Sequence, residues 1–163
     1  MRNAMPPMHT DRVDRAIVSL LQTDGRIANV DLADAVGLSP SACLRRVRAL
    51  EASGIIAGYR AELDRIQAGL GLTIFIELRV EGHSRDTSTR VEQALTAIPA
   101  VVACYLISGS ADFFVEVAVP DLASYEQLLL GQILTINSVV DAKSTFAIRS
   151  FLSRGPLPLD HWG

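Results

Sequence analysis

Apolar residues recur at every third or fourth position through the first part of the chain, a spacing that places their side chains on one face of a helix. Three helices are expected, with starts at Asp11 or Asp14, Asn29 and Pro40, and stops near Gly25, Gly37 and Gly54. The third start is the best defined, because Ser39 can cap the helix and a proline at the first helical position loses no hydrogen bond. Residues 55–61 then read as an extended strand or a small wing.

From Leu72 apolar residues alternate with polar ones, which is typical of a strand with one buried face. Strands are expected over residues 72–81, 101–108, 112–119 and 142–152. Helices are expected between them, on the stripes Val91-Leu95-Ile98 and Leu122-Tyr125-Leu129-Ile133, the second capped by Asp121. The order strand, helix, strand, strand, helix, strand is the ferredoxin-like α+β arrangement, in which both helices cover one face of an antiparallel sheet. We therefore expect a helical domain (1–61), a linker (62–71), a ferredoxin-like domain (72–153) and a tail (154–163).

The uncovered face of that sheet is expected to pair with a second subunit. It should carry Phe75 or its alternating neighbours, and Phe113, Val115 and Val117 or their register partners. This much apolar surface is too large to remain in water, so a homodimer is the expected solution. Two domains of this size also bury only small cores, which association would help to stabilise.

Composition places the chain among globular proteins, since 49% of its 163 residues are hydrophobic and 20% are charged. The longest nearly apolar run, 70–76, is far shorter than the roughly 20 residues that span a bilayer, and the first residues lack the apolar core of a signal peptide. The two cysteines, Cys43 and Cys104, fit a reducing compartment without disulfides. We therefore expect a cytoplasmic location.

Charge is distributed unevenly along the chain. Residues 1–62 hold eight arginines and seven acids, a balance of +1, and the remainder holds seven bases and eleven acids, a balance of −4. The third helix carries three of these arginines within four positions. A short helix, a glycine turn and a second helix with small and basic residues at its exposed start form a helix-turn-helix pattern, which favours DNA binding.

Two interpretations of these arginines remain open. In the first they form a solvated helix face, on which Arg48 pairs with Glu51. In the second they grip DNA: small side chains let the helix start approach the groove, and arginines contact bases or phosphates. The residues expected at that DNA surface are Ser39, Ser41, Ala42, Arg45 and Arg48, with Arg46 and Arg26 as phosphate anchors.

Residues 26–64 resemble the DNA-binding half of the Lrp/AsnC transcription regulators, also called leucine-responsive or feast/famine regulators. The matching motifs are DGRI at 24–27, LA at 32–33, GLS at 37–39, C-x-x-R-V-R-x-L-E at 43–51 and SGII-x-GY at 53–59. The resemblance implies a transcription regulator that binds double-stranded DNA through the third helix. Family members commonly form octamers, so the homodimer is expected to assemble further.

The resemblance extends to residues 103–129, which are similar to the family's effector-sensing domain, including a G-x-x-D turn. In the family that turn and the loop after the second helix help form a small-molecule site, usually for an amino acid. The residues implied here are Gly109, Ser110, Ala111, Asp112, Ile136, Val139 and Val140. A structural alternative stays open, in which Gly109 only supplies a positive φ angle and Asp112 only holds the turn.

Catalytic and metal-binding patterns are absent from the sequence. The histidines, His9, His83 and His161, are far apart, and both cysteines lie on segments expected to be buried. We therefore expect no enzyme activity and no cofactor. The alternatives are a metabolite sensor with little DNA affinity and, less favoured, a small ferredoxin-like enzyme.

Overall fold

The computed structural model of the chain describes residues 10–82 and 84–162. The chain forms two compact units. One runs to Glu62 and also includes the C-terminal residues from Leu152, and the other is Leu63–Phe151.

The first unit contains the three predicted helices: α1 (Arg12–Thr23), α2 (Asn29–Ala35) and α3 (Pro40–Ala52). Asp11 caps α1 in a capping box with Asp14, and Ser39 caps α3, with Pro40 at its first position, as the sequence predicts. The helices enclose a small core of buried side chains: Ile17, Val18, Leu32, Ala33, Cys43 and Leu50.

The predicted strand or wing at 55–61 is wrong, since these described residues contain no strand. A strand requires a neighbour to accept its backbone hydrogen bonds, and here the backbone closes the end of α3 instead. Gly54 has a φ of 78°, and the N–H of Ile56 donates to the carbonyl of Leu50 at 3.2 Å. Ile55 and Ile56 then pack against the helical core.

The C-terminal residues, expected from sequence as a tail, pack against the first unit. Leu159 and Trp162 lie on its core. The side-chain amide of Gln22 pairs reciprocally with the backbone of Leu157, donating at 3.2 Å and accepting at 2.6 Å. Asp160 forms an ion pair with Arg15. Helix α1 therefore holds the end of the chain along one side.

The second unit has the predicted ferredoxin-like order. Its elements are β1 (Leu72–Val80), α4 (Arg85–Thr96), β2 (Val101–Leu106), β3 (Phe113–Val119), α5 (Leu122–Leu128), which continues as a π-helical turn (Leu129–Ile133), and β4 (Val139–Phe146). The strands form one antiparallel sheet in the order β2-β3-β1-β4. Side chains from the sheet and both helices share a single core.

The last strand was expected at 142–152, and it lies at Val139–Phe146 instead. Its bounds follow from its partner, because β4 pairs only with β1. The final bond of this ladder runs from the N–H of Ala147 to the carbonyl of Thr73 at 2.9 Å. Beyond Ala147, β1 offers no further backbone partner, so the strand ends.

The predicted apolar stripe of α5 is partly wrong, because Leu122 is 62% exposed and Leu128 is buried. The buried positions are Tyr125, Leu128 and Ile133, separated by three and then five residues. A regular helix does not keep a five-residue step on one face, but the π turn adds a residue and restores the register.

Three side chains of β3 lie on the opposite face of the sheet from the one expected. Phe113, Val115 and Val117 point into the core under the helices, not onto the open face. The open face carries Phe75 from β1 and Phe114 from β3, whose rings stack with their centres 5.5 Å apart. Their flanking positions are charged: Glu77 lies opposite Lys143 in the register.

Candidate DNA-binding surface and effector site

The start of α3 is fixed by side-chain hydrogen bonds. The Oγ of Ser39 accepts from the N–H of Ala42 at 3.4 Å and lies 3.3 Å from the Oγ of Ser41. The side-chain amide of Asn29, the first residue of α2, donates to the carbonyl of Pro40 at 2.9 Å. These bonds tie the starts of α2 and α3 together, and Ser39 and Ser41 remain exposed while Ala42 is half-buried.

Arg45 and Arg48 lie exposed on α3. Within residues 10–82 and 84–162, neither guanidinium forms a salt bridge. The suggested pairing of Arg48 with Glu51 is not made, and the Oε1 of Glu51 accepts a hydrogen bond from the hydroxyl of Tyr59 at 3.1 Å. Both arginines are thus available to a polyanion.

Arg46 behaves differently from its neighbours. Its Nη1 donates to the Oδ2 of Asp11 at 2.9 Å and to the Oδ1 of Asp14 at 2.8 Å. The hydrogen bonds to Asp14 and Asp11 raise the pKa of Arg46, and the pKa of Asp11 is lowered, chiefly by the N–H of Asp14. The guanidinium of Arg46 is therefore already bound by two carboxylates, and its phosphate role stays a prediction from the sequence.

Arg26 lies exposed in the turn between α1 and α2. Its N–H donates to the Oδ1 of Asp24 at 2.8 Å, which forms a local turn around Gly25. A Cβ on Gly25 would lie 3.3 Å from the ring of Tyr59, so the small residue leaves room for that ring. From sequence, Tyr59 was only the last residue of the motif at 53–59, with no contact assigned to it. Burial, and next its hydrogen bond to Glu51, raise the pKa of Tyr59.

The G-x-x-D turn lies between β2 and β3 and is bonded to the end of β1. The N–H of Asp112 donates to the carbonyl of Leu78 at 2.9 Å, and its Oδ2 accepts from the N–H of Val80 at 2.9 Å. Gly109 has a φ of 139° and is exposed, as is Ser110, whereas Ala111 is buried. Both the backbone and the side chain of Asp112 thus hold the turn against β1.

The loop before β4 reaches the same end of β1 from its other side. The N–H of Glu81 donates to the carbonyl of Ser138 at 2.7 Å, and Val139 pairs with Val80. Ser138 has a positive φ of 81°, an unfavourable conformation for a residue with a side chain. Ile136 and Val139 are half-buried and Val140 is 57% exposed.

The structure therefore brings the two predicted parts of the effector site together, on either side of the end of β1. This proximity follows from the sheet order, which puts β1 between β3 and β4. The sequence missed Val80, the last residue of β1, and Glu81, the residue after it, whose N–H groups bond to the turn and to the loop. Alternating polarity marks them only as strand residues, so no sequence signal singled them out.

The sequence also missed Arg65, inside the expected linker. Its Nη1 donates to the Oγ1 of Thr73 at 2.9 Å and its Nη2 pairs with the Oε1 of Glu116 at 2.7 Å. The N–H of Leu70 donates to the carbonyl of Arg65 at 2.7 Å. The second half of this segment is consequently part of the ferredoxin-like unit.

Both cysteines pack in or against a hydrophobic core and do not have the features of reactive thiols. Cys43 is fully buried and Cys104 is half-buried against the sheet core, and burial raises the pKa of each thiol. His9 and His83 lie outside the described residues. Among the residues that are described, no cluster of three or more possible metal ligands occurs, and no helix is long and apolar enough to cross a membrane.

Both units match known domain families. The AsnC-type helix-turn-helix domain matches residues 11–51, and the Lrp/AsnC ligand binding domain matches residues 73–157. The Bkd operon transcriptional regulator of Pseudomonas aeruginosa is 38% identical over 149 residues, which are 91% of this chain and 97% of that relative. The leucine-responsive regulatory protein of Escherichia coli is 37% identical over 139 residues, 85% of each chain.

Solved structures agree with these matches. A transcriptional regulator of Neisseria meningitidis, in complex with L-methionine, has a TM-score of 0.88 and 32% identity, over 93% of this chain and 97% of that one. An AsnC family transcriptional regulator from Agrobacterium tumefaciens has a TM-score of 0.87 and 36% identity, over 93% and 98%. The chain belongs to the Lrp/AsnC family of transcriptional regulators, with a helix-turn-helix DNA-binding domain followed by a ligand-binding domain.

Proposed function

We propose that the chain reads specific DNA through Arg45 and Arg48 on α3. The observation that carries this proposal is the contrast within one helix: these two guanidinium groups are exposed and without a salt bridge among the described residues, whereas Arg46 is held by acids. Ser39, Ser41 and Ala42 give the helix start a small surface, and Arg26 contributes a phosphate contact from the preceding turn.

Binding to a DNA fragment from the gene's own upstream region tests this proposal. Fluorescence anisotropy with that fragment and with a shuffled sequence of equal length should show at least about a 1,000-fold preference for the first. Arg45→Ala should reduce the preference, while Arg85→Ala, at an exposed position in the other unit, should not. Equal affinity for both fragments would favour a metabolite sensor without a DNA-reading role.

The effector is proposed to be an amino acid bound between the turn 109–112 and the loop 136–140. The N–H groups of 109–111 donate to no protein acceptor within the described residues, so they can meet a carboxylate. The related regulator of Neisseria meningitidis was solved with L-methionine, which motivates the ligand class. Asp112 orders this site by holding the turn against β1.

A thermal-shift screen of amino acids tests the effector proposal. A ligand at about 100 times its Kd stabilises the folded protein by about 2.7 kcal/mol and so raises the melting temperature. Val140→Glu should abolish the shift, because Val140 is exposed at the start of β4 and the added negative charge would repel a carboxylate bound beside it. Val30→Glu is the matched control, since Val30 is 63% exposed in the other unit. An unchanged shift in Val140→Glu would move the site elsewhere.

Dimerisation is proposed through the open face of the sheet. The stacked rings of Phe75 and Phe114, with Tyr105 56% exposed in register beside Phe114, give an apolar centre flanked by charges. Such a centre and rim are typical of protein interfaces. Tyr105→Glu should produce monomers in sedimentation equilibrium, and Leu122→Glu, at an exposed position of α5, should leave the dimer intact. Assembly of dimers into an octamer is the family's usual state and remains part of this proposal.

The proposed division of labour follows the sequence boundaries: DNA binding by 1–61, a connection over 62–71, and sensing and assembly by 72–153. The two compact units support it, with the junction at Glu62 and Leu63. We propose that the chain binds its effector without transforming it. Mass spectrometry after prolonged incubation should recover the effector unchanged, and any product would indicate an enzyme.

A further inference from the structure

Arg46 is the exception among the four arginines assigned to DNA from sequence, all of which the structure describes. Only its guanidinium forms ion pairs, and both partners lie at the start of another helix. Asp11 is the N-cap of α1 and Asp14 lies in its first turn. The three residues therefore join the beginning of α1 to the middle of α3.

The burial of Asp14 makes this junction difficult to open. The side chain of Asp14 is 8% exposed and that of Arg46 is 34% exposed. A phosphate could reach the Nη1 of Arg46 only if both bonds to carboxylates broke, which would leave Asp14 charged and buried without its cation. An ionised group in that state is strongly unfavourable, so the pairs persist when DNA is near.

The position of Arg46 on α3 gives the junction a directional effect. Successive residues are rotated by about 100° around a helix, so Arg45 and Arg48 lie about 100° and about 160° from Arg46, on the same side of the helix. A bond that fixes Arg46 against α1 therefore fixes the direction in which both exposed arginines point. The apolar stripe of α3 alone permits small rotations, because Cys43 and Leu50 contact a core without directional bonds.

We propose that Arg46 is a positioning residue, which sets the rotation of α3 through Asp11 and Asp14 and so aligns Arg45 and Arg48 with the DNA groove. This inference rests on the proposed function of α3. A positioning role and a phosphate-anchor role predict opposite changes in DNA affinity for one substitution, Asp14→Asn.

The two roles predict opposite effects because the acids either compete with DNA or cooperate with it. If Arg46 bound phosphate, Asp14→Asn would release it and strengthen DNA binding. If Arg46 positions α3, the same substitution loosens the helix and weakens binding to the specific site. Asp11→Asn should act in the same direction and more weakly, because asparagine retains the N-cap bond and Arg46 keeps its pair with Asp14.

The experiment measures the affinity of the full chain for the upstream fragment and for shuffled DNA, over a range of salt concentrations. Arg46→Met should weaken specific binding about tenfold, a typical coupling for residues in one network. Its salt slope on shuffled DNA should equal the wild-type slope, whereas Arg48→Met, the matched control on the same helix, should lower that slope by about 0.9 for each phosphate that it no longer neutralises. The double variant Asp14→Asn/Arg46→Met should bind no more weakly than Arg46→Met, because Arg46→Met already removes both ion pairs of the junction.

Circular dichroism and thermal unfolding identify any variant that fails to fold. If Asp14→Asn does not fold, the direction of the change in DNA affinity is taken from Asp11→Asn, which alters an exposed capping position. Tighter DNA binding by Asp14→Asn or Asp11→Asn overturns the positioning role, as does a reduced salt slope in Arg46→Met. A wild-type protein that shows no preference for any upstream fragment overturns the proposed function itself, and with it the need to orient α3.

Discussion

Replacement of Leu159 by alanine should destabilise the helix-turn-helix unit, although the sequence placed this residue in a tail. Leu159 is half-buried against the core of α1, α2 and α3. A fully buried leucine costs about 2–5 kcal/mol when truncated to alanine, so a half-buried one should cost about 1–2 kcal/mol. For a unit of this size, the loss corresponds to a fall in melting temperature of about 5–10 °C.

The matched control is Leu157→Ala, in the same segment. The side chain of Leu157 is 71% exposed, and this segment is held at that point by its backbone, which pairs with the amide of Gln22. Removal of the side chain leaves those two bonds in place. The free energy of unfolding should then change by less than about 0.5 kcal/mol, as for most surface substitutions.

The protein contains its own reporter for this experiment. Trp162 is the single tryptophan of the chain and lies on the same core, so its fluorescence during urea unfolding follows the first unit alone. The unfolding midpoint should fall in Leu159→Ala and stay near the wild-type value in Leu157→Ala. Equal midpoints in the two variants, or a native tryptophan emission typical of full exposure to water, would refute the docking of this segment.

Three further comparisons test the fold. Phe113→Ala should cost about 3–5 kcal/mol in urea unfolding, because Phe113 is 2% exposed in the core. Phe114→Ala should mainly weaken the proposed dimer, and the reverse result would contradict the assigned faces. Gly54→Ala should cost about 1–2 kcal/mol of unfolding free energy because of its φ of 78°. Gly131→Ala should not destabilise, since Gly131 lies in open space without a positive φ. Equal losses in the two variants would exclude backbone strain as the cause. Because the pKa of Asp11 is lowered in the folded protein, its carboxylate contributes stability at pH values above 3.8, the ordinary pKa of the group. That stability is lost as the pH falls through the lower pKa of the folded state. The stability difference between wild type and Asp11→Asn should therefore shrink in acid titrations below pH 3.8, and a constant difference would assign it to another cause.

The sequence predicted those elements whose signals are local. Ser39 and Pro40 define the start of α3 by their own chemistry, and the alternation from Leu72 predicts β1 correctly. The face of β3 was not predictable in this way, because Phe113 and Phe114 are adjacent and both apolar. Alternation cannot distinguish two faces that both carry apolar residues, and only the register with β1 shows which residues of β3 share the core face.

Long-range partners account for the other differences. The acids that bind Arg46 lie 32 and 35 residues earlier in the chain, and Gln22 meets Leu157 from 135 residues away. Helical spacing shows that Arg46 is on the flank of α3 but gives no information on what lies opposite. The G-x-x-D turn and the loop before β4 were assigned together by family resemblance, and the sheet order is the physical reason that they lie close to each other.

The salt dependence of DNA binding by the wild type and Arg48→Ala tests the central claim most directly. If Arg48 meets phosphate or base edges from α3, the variant should bind the upstream fragment more weakly. Its slope of log affinity against log salt should be smaller by about 0.9 for each phosphate left without a cationic partner. Arg85→Ala should reproduce the wild-type curve. Identical curves for the wild type and Arg48→Ala would contradict the claim that the exposed arginines of α3 form the DNA-binding surface.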